Sequence, residues 1–527
     1  MRYKKSQIRA VFLIFFVISS FFFVYPFAGG DGSISNPYNI STCAHLQNMS
    51  SNLNANYQLI TNIDCSGVDF KPIGNCSGFC FIFNVDDNPF NGNFSGMNNA
   101  ISNLNITNLS SADHGWGLFG FVNYSTIEDV VLNNVVINVP NGNYVGGLVG
   151  NNYYGEVEYS FSNGNVFGDS TIGGLIGHSS NGIVNNSFAT GNVRGDRDIG
   201  GLIGDISGGN ILNSYSNGNI YGNLRVGGLL GSSAYGGNIK NSFATGNVNG
   251  TTNVGGLVGY NWLSVIENSF ATGNVNGTTN VGGLVGENDY GTIENSFANG
   301  NVSGTTDVGG LIGRIEIGGE IRNSYSTGNV SGTNRIGGIV GLTNYGGDII
   351  NSYSSGNVHG DSNVGGILGL MYYGSIENSF AMGNVNGTTN VGGLVGEITF
   401  VGNVENSFAT GNVNGTTNVG GFVGENDGGT ISNSYYYNFS GNPDTAIGLD
   451  NDGQSVSAET SISYFYSQSN LPLNSWNTSI WEFSGTSFPT ISIQNSESTT
   501  LSNSAPSLFP FGGFLISLTL MLLFFMN

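Results

Sequence analysis

The chain is predicted to be all-β, a parallel β-helix or β-solenoid with about three short strands per coil of 27–28 residues, capped at both ends. Three observations predict it. The first is periodicity: a glycine pair recurs with its first member at Gly146, Gly173, Gly200, Gly227, Gly255, Gly282, Gly309, Gly337, Gly365, Gly392 and Gly420, every step being 27 or 28 residues. The second is composition. Glycine fills 86 of 527 positions, charged residues only 9%, yet 39% of the chain is hydrophobic, which is too apolar for disorder and suits short strands between tight turns. The third is where length varies. The extra residue of the longer units falls at the second turn, as in Ala234-Tyr235-Gly236-Gly237-Asn238-Ile239 against Asp289-Tyr290-Gly291-Thr292-Ile293. Corners of a stacked coil absorb an insertion and strands cannot.

Each unit, for example Gly282 to Val308, holds three β segments: V-G-G-L-V-G, then I-x-N-S-F-A, then N-V-x-G. None can bury its face alone, so successive units are expected to stack in parallel and in register, eleven coils making a rod of roughly 50 Å. Strand alternation would place Ile293, Asn295 and Phe297 on one inner face. Two internal columns follow. An amide ladder is expected through Asn186, Asn213, Asn241, Asn268, Asn295, Asn323, Asn351, Asn378, Asn406 and Asn433. An aromatic stack is expected through Phe188, Tyr215, Phe243, Phe270, Phe297, Tyr325, Tyr353, Phe380, Phe408 and Tyr435, with Phe161 ahead of it. No helix follows the glycine pairs, so they read as positive-φ and close-approach positions rather than as a phosphate loop.

The ends read as targeting segments. Residues 1–30 resemble a signal peptide, with Arg2, Lys4, Lys5 and Arg9 ahead of an apolar run and small residues at Ala28, Gly29 and Gly30; an uncleaved anchor is the alternative. Residues 31–96 form an N-terminal cap, 97–145 degenerate coils, 146–440 the array, 441–495 a C-terminal cap with Trp476 and Trp481, and 496–507 a linker. Residues 508–527 form a hydrophobic anchor or anchor signal, expected to make the membrane a partner, either as a transmembrane tail or through a GPI-type attachment. The clustered Cys43, Cys65, Cys76 and Cys80 suggest two disulfides, 43–65 with 76–80 being preferred among three connectivities; zinc held with His45 is the alternative. Sixteen Asn-x-Ser/Thr sequons follow the leader, among them Asn39, Asn75, Asn105, Asn249, Asn276, Asn386 and Asn414, and glycosylation is expected where the host supplies the machinery.

The run V-G-G-L-V-G-x-N…I-E-N-S-F-A-T-G-N-V, closest at Gly255 to Val275 and Gly282 to Val302, resembles the GLUG repeat family of exported proteins. Tyr57-Gln58-Leu59 with Asn62-Ile63-Asp64, Pro72-Ile73-Gly74 and Phe90 to Gly96 resemble the segment that precedes such repeats, and Trp481 with Phe488-Pro489-Thr490-Ile491 resembles the closing stretch. The resemblance implies a secreted or surface-displayed β-solenoid, often within adhesin-like proteins. Some relatives carry a metalloprotease, but His45, His114, His178 and His359 are not arranged as its zinc helix requires, so that activity is not carried over.

Net charge is −22, and about −26 without the four basic leader residues, which argues against nucleic acid as a partner. No catalytic cluster stands out. Glu267, Glu294, Glu377 and Glu405 recur at one position just before the ladder Asn and read as an outer ridge. No cofactor is expected. Asp450-Asn451-Asp452-Gly453 could take an incidental Ca²⁺ but has Ser461 where an EF-hand places its last acid. Exposed tyrosines such as Tyr153, Tyr154, Tyr372 and Tyr373 could meet sugar rings, making surface glycans or other cells candidate partners. The leading expectation is a non-enzymatic, adhesin-like or structural display rod at the cell surface. A carbohydrate-binding or carbohydrate-processing β-helix and a passive envelope spacer are the alternatives.

Overall fold

A computed structural model describes residues 26–76, 87–107 and 114–491. The leader through residue 25, Cys80 and the apolar run from residue 508 lie outside the described residues. Among the described residues no helix is long and apolar enough to cross a membrane.

One coil shows how the repeat folds. The chain runs along a first face at Thr279–Gly282 and turns at Gly283 and Leu284. It crosses a second face in two steps, Val285–Asp289 and Thr292–Glu294, and returns along a third at Phe297–Ala298 and Val302–Ser303. Every strand pairs in parallel with its own counterpart: Val254 with Val281 and Val281 with Val308, Ile266 with Ile293, Phe270 with Phe297. The faces become sheets of 12, 26 and 25 strands. This is a parallel β-solenoid, like stacked on like. Its core is a set of continuous columns: Val281, Leu284, Val285, Ile293, Ala298 and Val302 are at most 1% exposed. β-branched side chains suit these positions because each packs on its own kind one coil away. The longer units diverge where the sequence places the insertion. Ser207 pairs with Ala234 at a step of 27, and Asn210 pairs with Asn238 at a step of 28.

Three local expectations need correction. V-G-G-L-V-G is not one strand, because the glycine pair turns the corner between the first and second faces. None of the paired glycines of the array has positive φ. They are needed for close approach alone, since a Cβ on Gly282 would lie 1.9 Å from the Val285 carbonyl oxygen and one on Gly283 2.1 Å from that of Gly310.

The second correction concerns the amide column. Asn186, Asn213, Asn241, Asn268, Asn295, Asn323, Asn351, Asn378, Asn406 and Asn433 all sit at φ between 48° and 52°. Asn tolerates this left-handed conformation better than most residues. One left-handed residue resets the strand alternation, so the next inward side chains are Ser296 and Ala298, not Asn295 and Phe297. The Asn column therefore lies at a corner, half-buried or exposed except at Asn378, and its ladder is intermittent. Asn241 Nδ2 donates to Asn213 Oδ1 at 3.1 Å and Asn351 Nδ2 to Asn323 Oδ1 at 3.2 Å, whereas Asn378 Nδ2 turns to Glu377 at 3.3 Å. The buried polar ladder is serine. The Ser269 N–H donates to Ser296 Oγ at 3.2 Å and the Ser296 N–H to Ser324 Oγ at 3.1 Å, while Ser296 Oγ donates to the Glu294 carbonyl at 2.8 Å. A second complete ladder runs on the third face, where the Asn274 N–H donates to Asn247 Oδ1 and the Asn301 N–H to Asn274 Oδ1, both at 3.0 Å.

The third correction concerns the rings. They do stack, at centroid spacings of 4.4–5.0 Å from Phe161 to Phe408 and 5.7 Å at Tyr435, but on the outer side of the third face. Rings from Phe161 to Tyr353 are half-buried. Phe380, Phe408 and Tyr435 are buried because residues 462–491 fold back over them, bringing Phe465, Leu473, Trp476 and Trp481. That segment shields the flank of the stack rather than its end. The last backbone edge is instead met by Ile447–Asp450 and Ser457–Glu459, which add a partial coil.

At the other end, Tyr38–Ile40 pairs with Tyr57–Leu59, and Tyr57 and Gln58 pair with Phe94 and Ser95, continuing the stack into a cap closed by the short helix Cys43–Asn48. Cys43 and Cys65 form a disulfide. Cys76 is also disulfide-bonded. Phe27 to Gly30, assigned by sequence to the leader, are built into this cap: Phe27 is 6% exposed and stacks on Tyr38 at 4.4 Å, and the Ala28 N–H donates to the Asn39 carbonyl at 2.8 Å.

Substitutions at three positions test this packing. Ser296→Ala strands a buried N–H and is expected to cost about 1–3 kcal/mol. Asn295→Val is expected to cost about 1–3 kcal/mol through left-handed strain, while Asn295→Gly stays near neutral. Thermal unfolding of the three variants checks the order. Phe27→Ala is expected to cost about 3–5 kcal/mol in the N-terminal cap, seen as faster amide exchange at Tyr38–Ile40; unchanged exchange would remove Phe27 from the folded body.

Candidate functional site

Most columns of the rod repeat one residue type from coil to coil, and the outward residues of the second face do not. The position after the inner glycine reads His178, Asp205, Ser232, Tyr260, Glu287 and Arg314 in successive coils. The facing position on the first face reads Thr171, Asp198, Arg225, Asn253, Asn280 and Asp307. Two residues further along the second face stand Trp262 and Asp289, and the adjoining corner carries Tyr235, Leu263 and Tyr290 at positive φ. Outward positions elsewhere vary too, as at Arg194, Tyr221, Asn249 and His359 on the third face, but this strip lies in the angle between two faces.

Close packing makes the strip concave. A Cβ on Gly286 would lie 2.5 Å from the backbone of Asn253 and Val254, so the second face presses against the first face of the preceding coil. Residues seven apart then meet across the angle: Asn280 Nδ2 donates to Glu287 Oε2 at 3.1 Å, Asn390 to Glu397 at 2.9 Å and Asn418 to Glu425 at 3.3 Å. Neighbouring coils add bonds along the axis, with Asn280 Nδ2 donating to Asn253 Oδ1 at 2.9 Å.

Charge replaces these amides in the middle coils. His178 Nδ1 lies 2.9 Å from Asp205 Oδ2, Arg225 Nη2 donates to Asp198 Oδ2 at 2.9 Å, Arg335 pairs with Asp307, and the Tyr260 hydroxyl donates to Asp289 Oδ2 at 3.0 Å. Asp198 is 7% exposed and occupies the position facing Asp205, as Asn280 faces Glu287. Burial pushes the Asp198 carboxyl up to about 7, with Arg225 opposing and Asp205 adding to the rise. Burial also raises Glu287, Asp289 and Asp307 above the usual carboxylate range. These groups supply paired hydrogen-bond donors and acceptors in a half-dry groove. No group of three His, Cys, Asp or Glu among the described residues is placed to hold a metal ion.

The residues singled out from sequence fall elsewhere, apart from the tyrosines. Tyr154 stacks on Tyr124 at 4.9 Å and Tyr373 on Phe400 at 5.8 Å, both along the corner of the strip. The sequon amides bond one another at the surface, Asn276 to Asn249 at 3.2 Å and Asn414 to Asn386 at 3.0 Å. Asn39 accepts from Gln58, while Asn75 and Asn105 are exposed. Asp450 and Asp452 accept from Asn426 and Gly428, closing the last coil. Sequence reasoning passed over His178, Asp198, Asp205, Arg225, Tyr260, Glu287 and Asp289. Writing the coils one beneath another shows them as departures from repeated Asn and Glu.

Comparison with known proteins shows what some of the coils resemble. The family described as the GLUG motif matches residues 141–166, 222–249, 250–276, 277–303, 304–331 and 387–414. These six coils match the GLUG motif. Over 147 residues, 27% of its length, the chain is 37% identical to halomucin of Haloquadratum walsbyi, and it spans about 2% of halomucin's length. A crystal structure described as an immunoglobulin A1 protease from Bacteroides ovatus aligns with 89% of this chain and 96% of its own at 17% identity, with a TM-score of 0.23, too low to bear on fold or activity.

The raised carboxyls give the rod a pH dependence. Folded Asp198 keeps its proton up to about 7, whereas its ordinary value is 3.8, so the folded state binds the extra proton between those limits. Stability is therefore expected to fall as pH rises from about 4 to about 7 and to level off above. Melting temperatures across that range check it, and Asp198→Asn is expected to flatten the decline.

Proposed function

We propose that this chain is a non-enzymatic, exported rod, held at the cell surface through its C-terminal apolar segment and presenting its variable strip to a partner, as an adhesin or display element does. One observation carries the reading. The angle between the first and second faces gathers varied charged, amide and aromatic side chains along the rod axis, and repeat proteins that bind partners do so on concave surfaces of this kind. The leader, the apolar tail and the clustered cysteines support export.

A second reading, carbohydrate processing at the same strip, is favoured by the facing carboxyls of Asp198 and Asp205, one of them held protonated near neutrality. Two measurements separate the readings. Cells producing the full chain are expected to stain with antibody without permeabilisation and to lose adhesion when the chain is deleted, with no release of reducing ends from added polysaccharide. Staining only after permeabilisation would remove the surface rod. Polysaccharide turnover abolished by Asp198→Asn would replace it with an enzyme.

A further inference from the structure

We propose that the strip between Tyr235 and Tyr290 binds an extended, uncharged polysaccharide along the rod axis; this names the partner of the surface rod and rests on that reading. Three features of the site point to it.

The site is linear and periodic. Equivalent positions recur at every coil, about 4.8 Å apart. A polymer whose units present the same groups at regular intervals can use such a row, whereas a compact ligand would use a single coil.

The surface offers platforms with ring faces open. Tyr235 is 71% exposed and Tyr290 52%, on either side of Leu263. Trp262 meets Tyr235 edge-on at 5.0 Å and 66°. A Cβ on Gly236 would meet only the Leu263 carbonyl oxygen, at 3.8 Å, and one on Gly318 only the Tyr290 ring, so small neighbours leave space around both tyrosines. The long stack on the third face contrasts with this: rings such as Phe243, Phe270 and Phe297 lie parallel at 4.8 Å, each closing its neighbour's face and leaving only edges. That stack can hold coils together and cannot take a sugar ring.

Acceptors lie beside the platforms without free cations. Asp289 precedes Tyr290 and pairs in register with Trp262. It is 9% exposed; its Oδ2 accepts from the Tyr260 hydroxyl and its carboxylate also accepts from the Ile317 backbone N–H, which leaves lone pairs to accept from a ligand hydroxyl. The nearby arginines are occupied, Arg225 by Asp198 and Arg314 by Glu316. With a chain charge of −22, the strip repels polyanions and offers hydroxyl acceptors, which selects an uncharged glycan.

The test uses the full chain in detergent with cellohexaose, chitohexaose and mannohexaose as probes and polygalacturonate as the anionic comparison. Tyr235→Gly and Tyr290→Asn place at the corner side chains it already carries at Gly208 and Asn181, so the fold is retained, and an unchanged melting temperature verifies it. At least one neutral hexasaccharide is expected to bind, and the double variant to raise its Kd by roughly thirtyfold, as loss of aromatic hot spots does. Binding of none of the neutral probes, equal binding by the double variant, or preference for polygalacturonate would each overturn the proposal. Adhesion that persists without glycan binding, and is abolished by protease treatment of the target surface, would assign a protein partner and leave the surface rod standing. Glycan binding by a chain that never reaches the surface would overturn the rod and keep the site.

Discussion

Parallel, in-register pairing of identical coils is the constraint from which the remaining features of this molecule descend. Once Val281 must lie over Val254 and under Val308, every side chain faces the equivalent position one coil away, and in the core that is its own kind. Only residues that gain from self-contact are then useful. Aliphatic side chains fill columns, serine hydroxyls chain together through backbone N–H groups, phenyl rings stack, and acids alone repel. The scarcity of charge in the sequence is a direct consequence, since a repeated column of like charges at this spacing would destabilise the sheet. Where acids enter, at Asp198 and Asp307, the next coil answers with Arg225 and Arg335.

The architecture was legible because period, strand content and insertion site are properties of the sequence alone. Facing was not. Alternation within I-E-N-S-F-A places Asn295 and Phe297 inward only if the backbone stays extended, and a single left-handed residue inverts that conclusion. Asn is among the residues suited to such a conformation, so the signal was present in the letter itself but was read as a hydrogen-bonding side chain rather than as a backbone choice. The same confusion, reversed, touched the glycine pairs. They were credited with positive φ as well as close approach, and only the close approach of backbone to backbone holds.

The candidate strip escaped notice for a different reason. A search for clustered acids along the chain finds scattered ones, because residues that meet across the groove or between coils are 7 or about 27 positions apart. His178 and Asp205 look unrelated until the coils are superposed, and then they lie in hydrogen-bond contact. Repetition identified the scaffold; deviation from repetition identified the surface that does something else. Burial then gives those deviations their chemistry, keeping Asp198 protonated near neutrality and raising the Asp289 carboxyl.

The corner that absorbs an additional residue carries a genetic corollary. Because a unit of 27 and one of 28 residues stack on the same floor, recombination between near-identical tandem segments can add or remove a whole storey without mending either neighbour. Rod reach and the number of variable positions along the strip would change together in such an event. Lineages of this molecule would then be expected to differ in height by whole storeys, while retaining the same two ends.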